Sequence, residues 1–322
     1  MKIGRVLGAT CVLVVLISSV LSVVSGRMPT GRTVTVAAGP RRSISPGCAR
    51  KPPVPPYVGV VPGRPWQASL EHWESATRVH PRLEVSYVPF GSAFDAERAC
   101  QAAGSGSMLV VQINPRHQSI AAIAHGRYDA YLARYAHSVR ACGAPVVISF
   151  AHEMNGNWYP WGYRRTPPPV FVAAWRRIHG LFTLAGAGNV IWLWDVNEAG
   201  NPHSPSLAPP RPWWPGSRYV DWVGVDSYYN KPGDTFRSVF GPTLREIRAF
   251  THKPVLVAET AAAPGPFQVT QIHGLFRGIR AHRWLIGAVW FDISRREQWR
   301  LDNQPAAIAA FRAGVKAMMS GH

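Results

Sequence analysis

The sequence predicts an α/β protein in which eight parallel strands alternate with helices and close into one barrel, a (β/α)8 fold. Eight short apolar runs recur along the chain, and helical stretches separate most of them, as in a parallel sheet. The 322 residues accommodate one such barrel of about 250 residues and an N-terminal segment. The predicted strands are Tyr57–Val60, Leu83–Val88, Met108–Ile113, Val146–Phe150, Val190–Trp194, Trp222–Val225, Val255–Ala258 and Ile286–Phe291.

Helical periodicity is clearest in four of the intervening stretches, namely Tyr128–Ala141, Val170–Ala185, Thr243–Phe250 and Gln268–Ala281. The stretch Val196–Arg218 is the exception, because it is rich in Pro, Ser and Trp and has little helical pattern. We expect it to form a long loop over the cleft at the open end of the barrel.

The first 26 residues have the features of an export signal. Lys2 and Arg5 precede an apolar run from Val6 to Val24, and two small residues follow it. We predict that residues 1–26 form a cleaved signal peptide. An uncleaved membrane anchor is the alternative, because the run is about long enough to span a bilayer. Both interpretations predict a secreted or envelope-anchored protein.

Residues 27–56 are rich in Pro, Gly, Ser and Arg and are predicted to form a disordered linker. Residues 1–65 contain nine Lys or Arg and no acid, which accounts for half of the net charge of +18. Such a tail would adhere to an anionic envelope polymer, although a solvated linker explains the composition equally well. Nucleic-acid binding is not expected in an exported chain without a nucleic-acid motif. Residues 57–318 remain for the barrel domain.

Two glutamates follow apolar runs in equivalent settings. Glu153 lies just beyond Val146–Phe150, and Glu259 lies just beyond Val255–Ala258. They are 106 residues apart. That is about three β/α units of roughly 30–35 residues, so they belong to strands four and seven and face one cleft. Two carboxyl groups amid aromatic side chains are what cleavage of a glycosidic bond requires, whereas either one alone would equally be a salt-bridged structural group.

Further motifs accompany the two glutamates in order along the chain. They are His152-Glu153-Met154-Asn155-Gly156 with Trp158 and Trp161, then Tyr219–Tyr228, Lys253–Thr260, Val289–Asp292 and Trp299–Asp302. On these motifs the sequence resembles glycoside hydrolase family 26, which contains many β-mannanases, from about Tyr57 to about Val315. The resemblance implies a TIM barrel and retaining hydrolysis, with Glu153 as acid/base and Glu259 as nucleophile.

His152 and Tyr228 are further candidates beside the glutamates. The resembled family has His before the acid/base, and its N–H would hold the nucleophile or the sugar 2-hydroxyl. The alternative is a packed histidine that supports the loop. By resemblance the Tyr228 hydroxyl donates to Glu259 and favours the ionised carboxylate. A one-residue change of register would give that role to Tyr229.

Sugar-facing rings are expected at Trp158 and Trp290, because the C–H faces of pyranoses are apolar and stack on aromatic cleft walls. Asp226 ends a strand and is a candidate to bind sugar hydroxyls, although a structural role suits it equally. We predict no cofactor, and no Cys/His spacing suggests a zinc site.

Two departures from the resembled family concern the substrate. Family members usually carry Arg four residues before the acid/base, where this chain has Ser149. They commonly show Glu-Pro-Trp after strand three, where this chain has Asn114-Pro115-Arg116. Both positions border the sugar site. We therefore expect Asn114 to bind the substrate, and a decorated mannan or another β-glycan to be preferred over plain mannan.

Three cysteines follow the signal segment, namely Cys48, Cys100 and Cys142. Cys100 lies late in the second predicted helix and Cys142 ends the third, and consecutive barrel helices are neighbours. Export permits disulfides, so we predict a Cys100–Cys142 bond and leave Cys48 without a partner.

The leading hypothesis is a secreted, monomeric, retaining endo-β-glycanase with a polysaccharide substrate. The first substrate to test is β-1,4-mannan, with β-glucan and β-xylan as alternatives. The competing hypothesis is a carbohydrate-binding pseudoenzyme of the cell envelope on the same barrel. The presence of both glutamates favours the enzyme, because a binding protein does not need two poised carboxyl groups.

Overall fold

The structure, a computed structural model, describes residues 48–198, 207–294, 298–301 and 304–321. The predicted signal segment and residues 27–47 of the predicted linker lie outside this part of the chain. Within it, eight parallel strands pair in chain order and the last pairs with the first. The predicted (β/α)8 TIM barrel is confirmed.

All eight predicted strands form, with small differences at their ends. They are β1 Tyr57–Val61, β2 Leu83–Pro89, β3 Met108–Asn114, β4 Val146–Phe150, β5 Val190–Asn197, β6 Trp222–Asp226, β7 Val255–Thr260 and β8 Leu285–Phe291. The largest difference is in β5, which continues three residues beyond Trp194 to Asn197. It continues because its backbone still pairs with β6, where Asn197 lies opposite Asp226.

Helices connect the strands and surround the barrel. They are α1 Trp66–Thr77, α2 Ala96–Ser105, α3 Ile120–Ala124, α4 Asp129–Cys142, α5 Pro168–Leu184, α6 Phe236–Val239, α7 Gly241–Arg248, α8 Gln268–Arg280 and α9 Pro305–Met319. The four stretches with clear helical periodicity correspond to α4, α5, α7 and α8. Across the described ranges, no helix combines the length and apolar character that a membrane span requires.

The connection from β5 to β6 has no α-helix in its described residues, as the composition of this segment predicts. Two short 3-10 turns, Arg211–Trp213 and Ser217–Tyr219, are its regular structure there. Leu207 forms an antiparallel bridge with Gly156 in the loop that follows β4. This part of the connection therefore lies beside the loop that carries Glu153. Residues 199–206 lie outside the described part of the chain.

Close packing between β1 and β8 closes the barrel. Gly287 has a φ of 143°, and a Cβ there would lie 2.0 Å from the carbonyl oxygen of Tyr57, so the closing strand requires glycine. Outside the strands, Phe311 of α9 packs against Trp73 and Phe276 at ring distances of 5.9 and 5.3 Å. Each such buried ring contributes about 1.5–3 kcal/mol to the free energy of unfolding.

The prediction of a Cys100–Cys142 disulfide is wrong. Cys100 is bonded to Cys48, and Cys142 is a buried free thiol whose Sγ lies 3.5 Å from the Sγ of Cys100. The helices therefore bring Cys100 and Cys142 together as expected. The sequence pattern does not reveal that the chain from Cys48 onward is held against the barrel, where Arg82 donates to the carbonyl oxygen of Val54 at 2.7 Å.

Candidate active site

Glu153 and Glu259 lie at the carboxyl ends of β4 and β7. Glu153 has a φ of 53° and Ala151 a φ of 51°. This left-handed backbone is unfavourable for residues other than glycine, and such strain is concentrated at functional sites. The N–H of Glu153 donates to the carbonyl oxygen of Asp195 at 2.9 Å, which fixes the turn against β5. The fold thus stabilises the unfavourable backbone of Ala151 and Glu153 in the turn that positions the Glu153 carboxyl group.

The carboxyl group of Glu153 is buried and accepts two hydrogen bonds. Trp158 donates its indole N–H to Oε2 at 2.8 Å, and the side-chain amide of Asn197 donates to Oε1. Burial raises the pKa of Glu153 to about 8, and the negative charge of Glu259 adds to the rise, while the two hydrogen bonds oppose it. The group is therefore protonated at neutral pH, as a proton donor must be.

Glu259 accepts hydrogen bonds from two tyrosines on different strands. Tyr87 of β2 donates to Oε2, and Tyr228, just beyond β6, donates to Oε1. Burial raises the pKa of both hydroxyls well above the usual tyrosine range, and the charge of Glu259 adds to this, so both remain donors. Donors on both oxygens favour the ionised carboxylate. Tyr229 is buried elsewhere, with its ring 5.9 Å from that of Phe240.

His152 is buried, and both of its ring nitrogens have protein partners. Nδ1 lies 3.1 Å from Oδ1 of Asn114, and Nε2 lies 3.2 Å from the hydroxyl of Tyr159. Burial, followed by the positive charge of Arg116, lowers the pKa of His152 to about 3, so the ring is neutral. These contacts match the alternative of a packed histidine that supports the loop. They place Asn114 against this histidine.

The loop after β4 supplies an aromatic wall next to the acid. Trp158 is 42% exposed while its indole nitrogen donates to Glu153, so its ring is accessible to solvent beside the acid. The rings of Tyr159 and Trp161 stack at 4.3 Å, and the guanidinium of Arg116 lies 5.5 Å from the centre of the Tyr159 ring.

The prediction that Trp290 faces the sugar is wrong. Trp290 is 1% exposed and packs against Phe311 of α9, with ring centres 5.5 Å apart. Side chains alternate along a strand, so the next residue, Phe291, faces the opposite side, and its ring lies 5.9 Å from that of Tyr228. Trp299 also adjoins Tyr228, with ring centres 4.8 Å apart, and is the tryptophan that the structure brings to this part of the site.

Two aspartates lie inside the barrel near the glutamates. Asp226 lies opposite Glu259 in the β6–β7 register, and Gln112 donates to Asp195 at 2.6 Å. Burial raises the pKa of Asp195 to about 7. Burial, followed by the negative charge of Asp195, raises the pKa of Asp226 well above its usual range. Because Asp226 is completely buried, its position matches the structural alternative rather than direct sugar binding.

Comparison with known proteins identifies the family. The profile of glycosyl hydrolase family 26 matches residues 119–313. The chain belongs to glycosyl hydrolase family 26. It is 32% identical over 228 residues to endoglucanase H of Acetivibrio thermocellus, across 66% of this chain and 25% of that protein. It is also 32% identical over 97 residues to mannan endo-1,4-beta-mannosidase A and B of Caldalkalibacillus mannanilyticus, across 28% of this chain and 18% of that protein.

A solved family 26 structure has the same fold. GH26C from Muricauda sp. MAR_2010_75 superposes with a TM-score of 0.64 at 16% identity, over 82% of this chain and 86% of that chain. At this identity the likeness concerns the fold alone. The chain spans about a quarter or less of the length of the two sequence relatives. Their activities therefore suggest hypotheses for this protein and do not assign it one.

Two side chains of this family 26 site, those of Tyr87 and Asn197, are not among the residues predicted from the sequence, and Trp299 is predicted there only as part of a family motif and not as a site residue. Tyr87 and Asn197 are polar side chains near the carboxyl ends of strands two and five, and this position is the signal that would have found them. Trp299 follows the last strand, where no periodicity predicts the direction of its ring. In the described ranges, no group of three or more metal-binding side chains occurs. The side chains assembled here can supply one proton and one carboxylate nucleophile.

Proposed function

We propose that this family 26 protein is a retaining endo-β-glycanase in which Glu153 is the acid/base and Glu259 the nucleophile. The supporting observation is the contrast between the two carboxyl groups. Burial keeps Glu153 protonated, whereas two tyrosine hydroxyls stabilise Glu259 as an anion. A retaining glycosidase needs this division, because one group donates a proton while the other attacks.

The reaction follows from these positions in two steps. In the first, Glu259 attacks the anomeric carbon, the glycosidic C–O bond breaks, and Glu153 transfers its proton to the leaving oxygen. In the second, Glu153 takes a proton from water, the water oxygen attacks the anomeric carbon, and the carboxylate of Glu259 leaves. Tyr87 and Tyr228 assist the second step, because their hydroxyl donors bind the released carboxylate more strongly than the ester.

The proposed substrate is a β-linked polysaccharide, with β-1,4-mannan the first to test and β-glucan and β-xylan as alternatives. The names of the relatives include both an endoglucanase and a mannosidase. Ser149, where the resembled family carries arginine, is completely buried in β4 opposite Gln112 of β3. An arginine at this position would add a fixed charge and several donors to the barrel interior. Its absence supports a substrate preference different from plain mannan.

A reducing-sugar assay across mannan, glucomannan, xylan and mixed-linkage glucan tests the proposal. We expect modest release of reducing ends from plain mannan and a faster rate on at least one other polymer. Viscosity should fall early in the reaction, because internal cleavage shortens chains quickly. Tight binding to one polymer without cleavage of any would overturn the enzyme proposal in favour of the pseudoenzyme.

The basic limb of the pH profile of kcat/KM is expected near pH 8, the pKa of Glu153. As the pH rises through this value, Glu153 loses the proton that the leaving oxygen needs. Asn197→Ala removes a hydrogen bond that lowers this pKa, so the limb should move to higher pH by about one unit.

The control for this measurement is Asn189→Ala. Asn189 donates to the carbonyl oxygens of Val139 and Ala144, away from Glu153, so its loss should lower stability and leave the basic limb in place. An unchanged limb in Asn197→Ala, or an equal shift in the control, would show that Glu153 does not set the limb.

We also propose that the protein is exported, acts as a monomer, and carries a basic tail that adheres to an anionic envelope polymer. The support for export is the apolar run from Val6 to Val24, and the support for adhesion is the excess of Lys and Arg in residues 1–65. N-terminal sequencing of protein recovered outside the cell should start near residue 27. Recovery with residues 1–26 intact would favour the membrane anchor.

A further inference from the structure

A cavity of about 550 Å³ lies at the end of the barrel opposite the two glutamates. The turn from α1 to β2, the end of α2 and the last turns of α9 line it. Four cationic side chains face this space, namely those of Arg78, Arg82, Arg312 and Lys316. Among the described residues that line it there is no aspartate or glutamate. We call this space the basic cavity.

The four Arg and Lys side chains of the basic cavity have no acidic partner among the described residues, whereas His80, which also lines the cavity, is paired with Glu74 at 2.6 Å. Arg82 donates to the carbonyl oxygen of Val54, which fixes its position without an acid. Arg78, Arg312 and Lys316 form no ion pair with any residue in the described ranges. Like charges gathered around one space repel each other, so the arrangement becomes more favourable when an anion is bound.

Arg78 has an unfavourable backbone conformation at this position. It ends α1 with φ 55° and ψ 30°, and its N–H donates to the carbonyl oxygen of Glu74 at 2.8 Å. Glycine is the usual residue at such a left-handed helix end, because it has no Cβ. The fold would therefore favour glycine here, and the arginine side chain calls for a role beyond capping.

We propose that the basic cavity binds the phosphate group of a phosphorylated sugar, presented as a unit of an anionic polysaccharide. Guanidinium and ammonium groups are the donors that bind phosphate oxygens. The partly buried side chains of Val79 and Met319 line the same cavity and suit the apolar face of a pyranose. The volume lies within the range of small-molecule sites. Binding here leaves the cleft at the other end of the barrel open to a neutral β-linked chain.

Calorimetric titration of the full chain at low salt tests this proposal. Glucose 6-phosphate should bind at one site, inorganic phosphate more weakly, and glucose not at all. Arg312→Ala/Lys316→Ala should weaken the binding of glucose 6-phosphate by about tenfold or more, because two charged hydrogen-bond donors are removed. The matched control Arg127→Ala/Arg134→Ala removes two exposed arginines outside the basic cavity and should leave the affinity unchanged.

Binding of a polysaccharide is tested with an amylopectin in which some glucose units carry a 6-phosphate, measured before and after phosphatase treatment. This α-linked polymer is not the proposed substrate of the cleft, and the basic tail is the same in every variant. Binding that is lost in Arg312→Ala/Lys316→Ala and kept in Arg127→Ala/Arg134→Ala therefore reports on the basic cavity. Binding should be lost after phosphatase treatment. Equal binding before and after treatment, or equal losses in the two double variants, would overturn the proposal and leave only general surface charge.

Arg78→Gly separates ligand binding from folding. Because glycine relieves the left-handed strain, the Tm should rise by about 2 °C. The affinity for glucose 6-phosphate should fall in the same variant, and the rate on a neutral β-glycan should not change. A higher Tm with unchanged affinity would exclude Arg78 from the site. If the parent protein itself shows no saturable binding of glucose 6-phosphate, the whole proposal is overturned.

Discussion

Glu259→Ala is expected to lose nearly all hydrolysis of every β-glycan that the protein cleaves. The substitution removes the group that forms the covalent bond to the anomeric carbon. Tyr87 and Tyr228 cannot replace it, because burial raises the pKa of both hydroxyls and keeps them protonated. The loss in kcat should be on the order of 10⁶-fold, as when the covalent nucleophile of a serine protease is removed. Initial rates on the preferred polymer measure this loss.

Azide and a matched variant identify the missing group. In Glu259→Ala, azide should attack the anomeric carbon of a β-glycoside that has a good leaving group, and the product should be the inverted α-glycosyl azide. Glu71→Ala removes an exposed glutamate of α1 and should keep the parent rate. Residual hydrolysis within about tenfold of the parent would mean that another residue is the nucleophile.

The barrel could be predicted because burial alone determines much of each strand. All five residues of β4, Val146–Phe150, are buried, and the left-handed Ala151 follows at once, so the apolar run and the strand have the same bounds. The end of β5 was harder to predict. Asp195 and Asn197 continue the strand because their backbone pairs with β6, and a polar sequence carries no sign of that pairing.

The glutamates could be located for the same reason, since the carboxyl ends of barrel strands meet at one face. The direction in which an individual aromatic ring points could not be predicted in the same way. Side chains alternate along a strand, so a shift of one residue in β8 reverses the direction of the ring, and Trp290 points toward Phe311 of α9. Trp299 adjoins Tyr228 through a loop, and loop geometry leaves no periodic signal in the sequence.

Long-range contacts account for the remaining differences. Cys48 is 52 residues before Cys100, and only the folded chain brings the two together. The role of His152 depends on Asn114 of β3 and Tyr159 of the next loop, which occupy both ring nitrogens. The sequence identifies the histidine, whereas its hydrogen-bond partners are known only from the folded structure, in which the strands lie side by side.

Glu153→Ala should divide substrates according to their leaving groups. A sugar leaving group needs a proton on its oxygen, so kcat/KM on a polysaccharide should fall by roughly 10²–10⁴-fold. An aryl β-glycoside with a good leaving group needs no proton, so its first step should proceed near the parent rate. The covalent intermediate should then accumulate, because no base activates water. Stopped-flow measurement of the released phenol should show a burst followed by a slow phase.

Azide should accelerate that slow phase, because an anionic nucleophile needs no base, and the product should be the β-glycosyl azide. This configuration is opposite to the one expected from Glu259→Ala, so the two variants separate the roles even though both are nearly inactive on polymers.

The stability of Glu153→Ala gives an independent check. In the folded state the pKa of Glu153 is raised to about 8, so its burial costs stability as the pH rises from the unfolded value toward 8. Removing the side chain should therefore keep or raise the Tm at neutral pH. Equal losses of activity on polysaccharide and aryl glycoside, without an azide effect, would assign the acid/base role to another residue.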